Sequence, residues 1–261
     1  MDSTNLKSTE QYLELDLGVE VYLPIPVSPP SSTKPTPNLN VLERNSIRFA
    51  WIGRICDFKF YILCHFLKNL NEYQNSTDLK LYMTIVGTGD YLPRLKQFVK
   101  QCPNISIEFK DFVAPIEMES FIENEVDVVT SMGTAAFEGA KRGVPTLLLD
   151  VYYDTVPDGY VFQWVYERKG FTLGDIIEPA DLVVGNNSFN QKMEDLQKHY
   201  KKTGGKCHDY YQKNHSLPQI TNDLLAVVDV ANFTHQDLVE GGFAKRGALY
   251  NLLVWFRDAF R

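Results

Sequence analysis

From Ile47 onward, short apolar runs alternate with amphipathic stretches. Residues 47–52 (IRFAWI) form an apolar run stopped by Gly53, and residues 61–73 follow as a long amphipathic segment. Residues 79–86 (LKLYMTIV) are again stopped by glycine and lead into a helical segment over 91–101. Residues 105–109 alternate like a strand, 116–123 suit a helix, and 126–129 (VDVV) read as a buried strand. A helix over 133–142 and a strand over 145–149 complete the series. Short apolar runs separated by helical segments imply βαβ units, a mostly parallel sheet and right-handed crossovers. The expected fold is therefore α/β, a doubly wound, mostly parallel, Rossmann-like sheet. Beyond Asp150 the rhythm loosens: residues 170–177 suggest one more strand and turn, and 190–202 a helix. Apolar residues at Leu217, Ile220, Leu224, Val227 and Val228 have helix spacing, and residues 249–257 (LYNLLVWFR) form a final helix candidate.

Three segments follow from this pattern: an extension or linker over 1–45, a remnant of a further domain being one reading of it; a Rossmann-like α/β domain over 46–230; and a helical C-terminal extension over 231–261. Residues 22–27 could make a short strand, but the SPPSSTKPTPNLN stretch after them favours an extended linker, because proline removes donors and little is available to bury. Charge adds a constraint. With Lys+Arg 26 against Asp+Glu 33 the net charge is −7, which favours no nucleic-acid partner, so an anionic ligand would need locally placed cations and backbone N–H groups. Cys56, Cys64, Cys102 and Cys207 are scattered without a C-x-x-C pair, pointing to a reducing compartment and to no zinc site. The first 20 residues are polar and acidic, unlike a signal peptide, and no apolar run approaches the ~20 residues that span a bilayer. The expectation is a cytoplasmic protein, with peripheral contact at the inner membrane face left open.

Candidate chemistry sits at three glycine turns placed just after expected strands, where open α/β sheets bind ligands. Gly53-Arg54, with Lys59 five residues on, offers close backbone approach and two cations able to clamp a diphosphate; alone it reads more readily as a tight turn with two solvated charges. Gly87-Thr88-Gly89 is a weak G-x-G signal that also suits a plain strand-to-helix connection. The third turn, Ser131-Met132-Gly133-Thr134, opens a small-residue helix whose free N–H groups could hold an anion. Glu138 on that helix could accept the hydroxyls of a ribose or simply complement the helix dipole.

Taken together, W-I-G-R…K, I-V-G-T-G, F-K-D-F-V and M-G-T-A-A-F-E-G-A-K-R-G-V-P-T resemble, in order, the C-terminal donor-binding half of GT-B fold retaining glycosyltransferases, in the M-G-T variant found among group 1 polysaccharide-assembly enzymes. The likeness spans residues 47–150 and weakens toward 228. It implies a glycosyltransferase, of hexosyltransferase type or one subunit of a split one, that binds a nucleoside-diphosphate sugar as donor substrate and needs no other cofactor or metal. It implies that Arg54, Lys59, Gly133 and Thr134 hold the diphosphate and Glu138 the ribose. Gly53, Gly87, Gly89, Lys110, Phe112, Val113, Ser131 and Met132 would border the base or the sugar. No catalytic residue is assigned, because charge stabilisation of the leaving nucleotide carries such reactions. Two departures stand out. Thr130 occupies the position where the family pattern has a second glutamate, and only about 45 residues precede the donor domain, where the family has an acceptor-binding domain. An acceptor-binding partner subunit or a homo-oligomer would supply what is missing. A UDP-sugar 2-epimerase-like enzyme and a non-catalytic nucleotide-sugar-binding module are the alternatives.

Of the remaining features, His65 lies in an apolar helical face where packing is expected. His199, His208 and His215 match no metal-site spacing. Asp154 and Asp158 read first as turn formers.

Overall fold

The computed structural model describes residues 3–14, 16, 22–31, 44–185, 187–230 and 235–240. The chain divides into two compact units, Met1–Ile220 and Thr221–Arg261. The first is built on a sheet of β1 (Ser46–Ile52), β2 (Lys80–Val86), β3 (Ser106–Lys110), β4 (Val128–Ser131), β5 (Thr146–Leu148) and β6 (Gln163–Trp164). Their order is β3-β2-β1-β4-β5-β6; β1 to β5 are parallel and β6 joins β5 antiparallel. The helices of this unit are α1 (Ser3–Leu13), α2 (Asp57–Gln74), α3 (Leu92–Phe98), α4 (Pro115–Glu125), α5 (Phe137–Ala140) and α6 (Ser188–Asn214). Helix α7 (Leu217–Val230) begins in it and continues into the second unit, which also holds α8 (His235–Glu240). No helix among the described residues is long and apolar enough to cross a membrane.

The sheet is covered on both faces, and the strand sequences show why. Side chains alternate between faces along a strand. Ile47, Phe49 and Trp51 of β1 join Leu81, Met83 and Ile85 of β2 in the core beneath α2, where Ile62, Leu63, Phe66, Leu67 and Leu70 are buried. Ala50 and Ile52 of β1 point the other way, joining Val86, Val129 and the buried Phe121 and Ile122 of α4. Apolar residues on both faces are the pattern that a doubly covered parallel sheet requires.

At the amino edge of the sheet, Asp127 ties β4 to β1. Its carboxylate is fully buried, accepts from the Arg48 backbone N–H at 2.8 Å, and pairs with Arg48 at 3.0 Å and Arg44 at 2.6 Å. A second clasp joins α4 to the end of α5, where the buried Arg142 pairs with Glu119 and, at 2.9 Å, with Glu123.

Several expectations change. The strand expected over 170–177 is reduced to a bridge between Val151 and Ile176, because positive φ at Gly170 (69°), Phe171 (58°) and Gly174 (121°) breaks any extended run. The sixth strand is instead the two-residue β6, too short for periodicity to reveal. Residues 1–45 include the helix α1, unforeseen from its polar composition. Within 22–27, Val27 alone makes a bridge, to Ser216. The helix expected over 190–202 runs on to Asn214 with a break at His199 (φ −137°, ψ 28°). The helix candidate over 249–257 lies outside the described residues.

Three of the histidines, His65, His208 and His215, have packing or hydrogen-bond partners. His65 stacks on Phe162 with ring centroids 5.7 Å apart, and burial, reinforced by Lys68, lowers its pKa to about 4. His208 meets the Lys141 carbonyl and His215 the Ile25 carbonyl, each at 3.1 Å.

Replacing Asp127 with Asn should lower unfolding stability by about 2–3 kcal/mol, the range for buried hydrogen bonds to charged groups. Urea denaturation followed by circular dichroism checks this, and an unchanged midpoint would show that the two arginines reach water without cost.

Candidate functional site

In the strand order 3-2-1-4-5, connections leave β1 and β4 toward opposite sides, which opens a crevice at their carboxyl ends. Strand pairing aligns Trp51 with Thr130, so the turn after β1 (Gly53-Arg54) and the turn after β4 (Met132–Thr134) meet there. The Ser131 hydroxyl cements this junction by donating to the Ile52 carbonyl at 2.5 Å. The Trp51 indole N–H donates to the Gly53 carbonyl at 3.1 Å and fixes the first turn from below.

The second turn explains its own glycines. A Cβ on Gly87 (φ 144°) would lie 2.1 Å from the Gly53 carbonyl oxygen, and one on Gly89 (φ 151°) 2.1 Å from the Ile55 carbonyl oxygen. Backbone therefore rests on backbone. The Gly53 N–H donates to Val86 O, Ile55 N–H to Thr88 O, and Gly87 N–H to Lys110 O, all at 2.9–3.0 Å. Gly87 and Gly89 thus shape the Gly53–Ile55 loop, holding it in place against β2 and β3.

Two cations stand over the β1 turn. Arg54 is exposed and Lys59 half-buried, with its ammonium 3.5 Å from where a Gly53 Cβ would be. Neither forms an ion pair with a carboxylate among the described residues, whereas Lys110 pairs with Glu125 at 3.0 Å and Arg168 with Asp150. Burial lowers the pKa of Lys59, and the neighbouring Arg54 adds to this against an opposing effect of Cys56. An ammonium held there without an acidic counterion favours an incoming anion.

Beyond β4, Gly133 has φ 69° and nothing within 4 Å of the place a Cβ would take, so its outer face is open. Its N–H donates to Leu173 O at 2.6 Å. The turn Gly133–Ala136 then passes into α5, with Thr134 exposed at its start. Free N–H groups in such a first turn are ordinary anion donors. Glu138 is one-quarter exposed, and its Oε2 is 2.8 Å from the Lys141 ammonium. Its other oxygen has no partner among the described residues. At the end of β3, Phe112 is exposed to 74% while Val113 packs inward against the α4 core. Lys110 is drawn aside by Glu125 and lies over the Phe121 ring.

All thirteen residues singled out from the sequence thus lie at the carboxyl ends of β1 to β4 or in the turns and helix starts that follow. They divide by role. Arg54, Lys59, Thr134, Phe112 and one oxygen of Glu138 face solvent with unmet capacity. Gly53, Gly87, Gly89 and Ser131 fix the turns, Gly133 presents an open backbone face, Met132 is buried in the core, and Lys110 and Val113 are committed to α4. Thr130 is fully buried, so no side chain from that position reaches the crevice.

Sequence reasoning missed a neighbouring buried network. Asp150, after β5, accepts from Tyr160 Oη at 3.0 Å and from the Asp175 N–H at 2.8 Å, and pairs with Arg168. Burial raises the Asp150 pKa, with Arg168 opposing. The only sequence signal was an aspartate ending an apolar strand; nothing marked Arg168.

No family model matches the chain, and no curated protein matches it in sequence. Solved structures do match in fold. WaaG, a glycosyltransferase involved in lipopolysaccharide biosynthesis, is 11% identical with a TM-score of 0.53, covering 89% of this chain and 62% of that one. The lipopolysaccharide outer core galactosyltransferase WaaB is 12% identical with a TM-score of 0.52, covering 88% and 61%. A glycosyltransferase from Rickettsia africae ESF-5 is 15% identical with a TM-score of 0.50, covering 86% and 61%. The fold is therefore that of a GT-B glycosyltransferase domain, and the chain spans about three-fifths of the length of each of these three structures.

The two kinds of glycine should separate in unfolding measurements. Gly87→Ala should cost about 3 kcal/mol, because its Cβ meets a carbonyl that cannot move. Gly133→Ala should cost only about 1–2 kcal/mol, the penalty for positive φ in open space. Equal losses would contradict the backbone-on-backbone contact.

Proposed function

We propose that this chain binds a nucleoside-diphosphate sugar at the carboxyl ends of β1 and β4 and is the donor-binding part of a glycosyltransferase of polysaccharide or glycoconjugate assembly. The observation that carries this reading is the pair of cations, Arg54 and Lys59, that lack acidic partners among the described residues and stand beside the open face of Gly133. A diphosphate bridging them would take the Arg54 guanidinium and Lys59 ammonium on one side and N–H groups of the Thr134 turn on the other. The ribose would reach Glu138, whose carboxylate is oriented by its Lys141 contact. Phe112 offers a face on which a base can stack. As the bond to the sugar breaks, charge grows on the departing diphosphate, and the two cations stabilise that charge without proton transfer. Thr130, buried in β4, leaves donor-sugar recognition to other groups.

Isothermal titration of the chain with UDP, GDP and their sugar conjugates tests the reading. One nucleotide should bind at micromolar concentration. Arg54→Ala and Lys59→Ala should each weaken it about tenfold or more, as expected for a charge-assisted contact, and Phe112→Ala about three- to tenfold for loss of stacking. No binding by the folded protein would overturn the proposal.

The same site predicts a pH dependence. The bound diphosphate raises the Lys59 pKa above its lowered value in the free protein. Affinity is then fully present below the free-protein pKa and falls as pH rises through the bound-state pKa. Lys59→Arg should flatten that alkaline fall, because arginine stays charged; an unchanged profile would remove Lys59 from the diphosphate contact.

A further inference from the structure

Helix α1 presents one face, including Lys7, Ser8 and Gln11, across a cavity of about 620 Å³ to Lys169, Asp175 and Glu178. The helix is held in place by three contacts. Ser3 N–H donates to Gly170 O at 3.0 Å, Thr4 donates its hydroxyl to the Asp175 carboxylate, and Leu6 is buried. A second cavity of about 230 Å³, bordered by Asp150, Tyr160 and Arg168, shares Asp175, Ile176 and Asp181 with the first.

The lining selects a ligand chemistry. Lysines, hydroxyls and an amide alternate with carboxylates, so donors and acceptors of both kinds surround the space. An anionic ligand would face Asp175, Glu178 and Asp181, and an apolar one would strip water from every one of these groups without replacing it. No group of His, Cys, Asp and Glu able to hold a metal ion occurs among the described residues. A polyhydroxylated neutral molecule satisfies both kinds of group, and the exposed Ile176 supplies an apolar surface for the C–H face of a ring. The position is equally specific. The cavity floor belongs to the segment whose Leu173 carbonyl holds the Gly133 N–H and whose Asp175 N–H is bound to Asp150.

The geometry points to a saccharide subsite between α1 and residues 169–181 that takes a hexose unit of the acceptor. This rests on the donor-binding reading above and adds to it an acceptor contact made by this chain's own first helix. A hexose could come from the donor or from the acceptor, and the test separates them.

Saturation-transfer NMR on the full chain would use methyl α-glucoside, methyl α-galactoside, methyl α-mannoside and N-acetylglucosamine as probes, with UDP and GDP binding measured on the same samples. At least one glycoside should give signal that persists with saturating nucleotide and in Arg54→Ala. The signal should fall at least threefold in Gln11→Ala and in Lys169→Ala, both exposed positions whose replacement leaves the fold intact by circular dichroism. No signal from any probe, a signal indifferent to both substitutions, or displacement of the sugar by the nucleotide would each overturn the subsite. Failure of both nucleotides to bind would count against the donor reading alone, since the glycoside arm is read independently.

Discussion

Two glycine α-carbons resting on backbone carbonyls, Gly87 on Gly53 and Gly89 on Ile55, set the shape of the crevice edge. A side chain at either position would push the β1 turn outward, and with it Arg54 and Lys59. The contact is made by main chain alone, so its geometry does not relax as a side-chain contact does. The turn is closed from other directions as well, by the Trp51 indole below it and by Ser131 from β4. Three strand ends are thus joined into one rigid rim, and the site's flexible groups are confined to side chains that project from it.

The distribution of charge follows the same division. Toward the amino edge and along the outer face of the sheet, arginines are neutralised: the exposed Arg44 and half-buried Arg48 by the buried Asp127, and the buried Arg142 by Glu119 and Glu123. These pairs place the cost of burying charge where geometry is fixed and both partners are supplied by the fold. At the carboxyl edge Lys59 is half-buried with no such partner, and its depressed pKa reflects a cost that the fold leaves unmet. An anionic ligand bound there would remove that cost on arrival.

The parallel sheet was legible because β1, β2, β4 and β5 are apolar runs ended by a turn or a polar residue, β3 alternates, and the crossover helices α2 and α4 are long enough to show their period. The site was legible as positions but not as roles. Nothing in G-T-G distinguishes a ligand contact from backbone packing; only the two carbonyl oxygens that would lie 2.1 Å from an added Cβ do so. Met132, just before the Gly133–Ala136 turn, gave no sign that its side chain points into the core, and Lys110 none that Glu125 pairs with it. These are long-range facts, decided by which elements come to lie side by side. The same holds for β6 and for α1: one is too short for periodicity, and the other is polar on the face that lines a cavity, where amphipathic reasoning expects solvent.

That polar face changes how the first residues of the chain relate to the crevice. A helix held only by Leu6 would need little more than a hydrophobic groove, yet α1 also commits the Ser3 N–H and the Thr4 hydroxyl to the 170–175 segment. The same segment reaches the Gly133 turn through Leu173 and the Asp150 network through Asp175. The main-chain bonds at the two ends, Ser3 N–H to Gly170 O and Gly133 N–H to Leu173 O, are supplemented by the Asp175 and Asp150 carboxylates between them. Helix α1 is therefore joined, through residues 170–175, to the turn that carries the open face of Gly133.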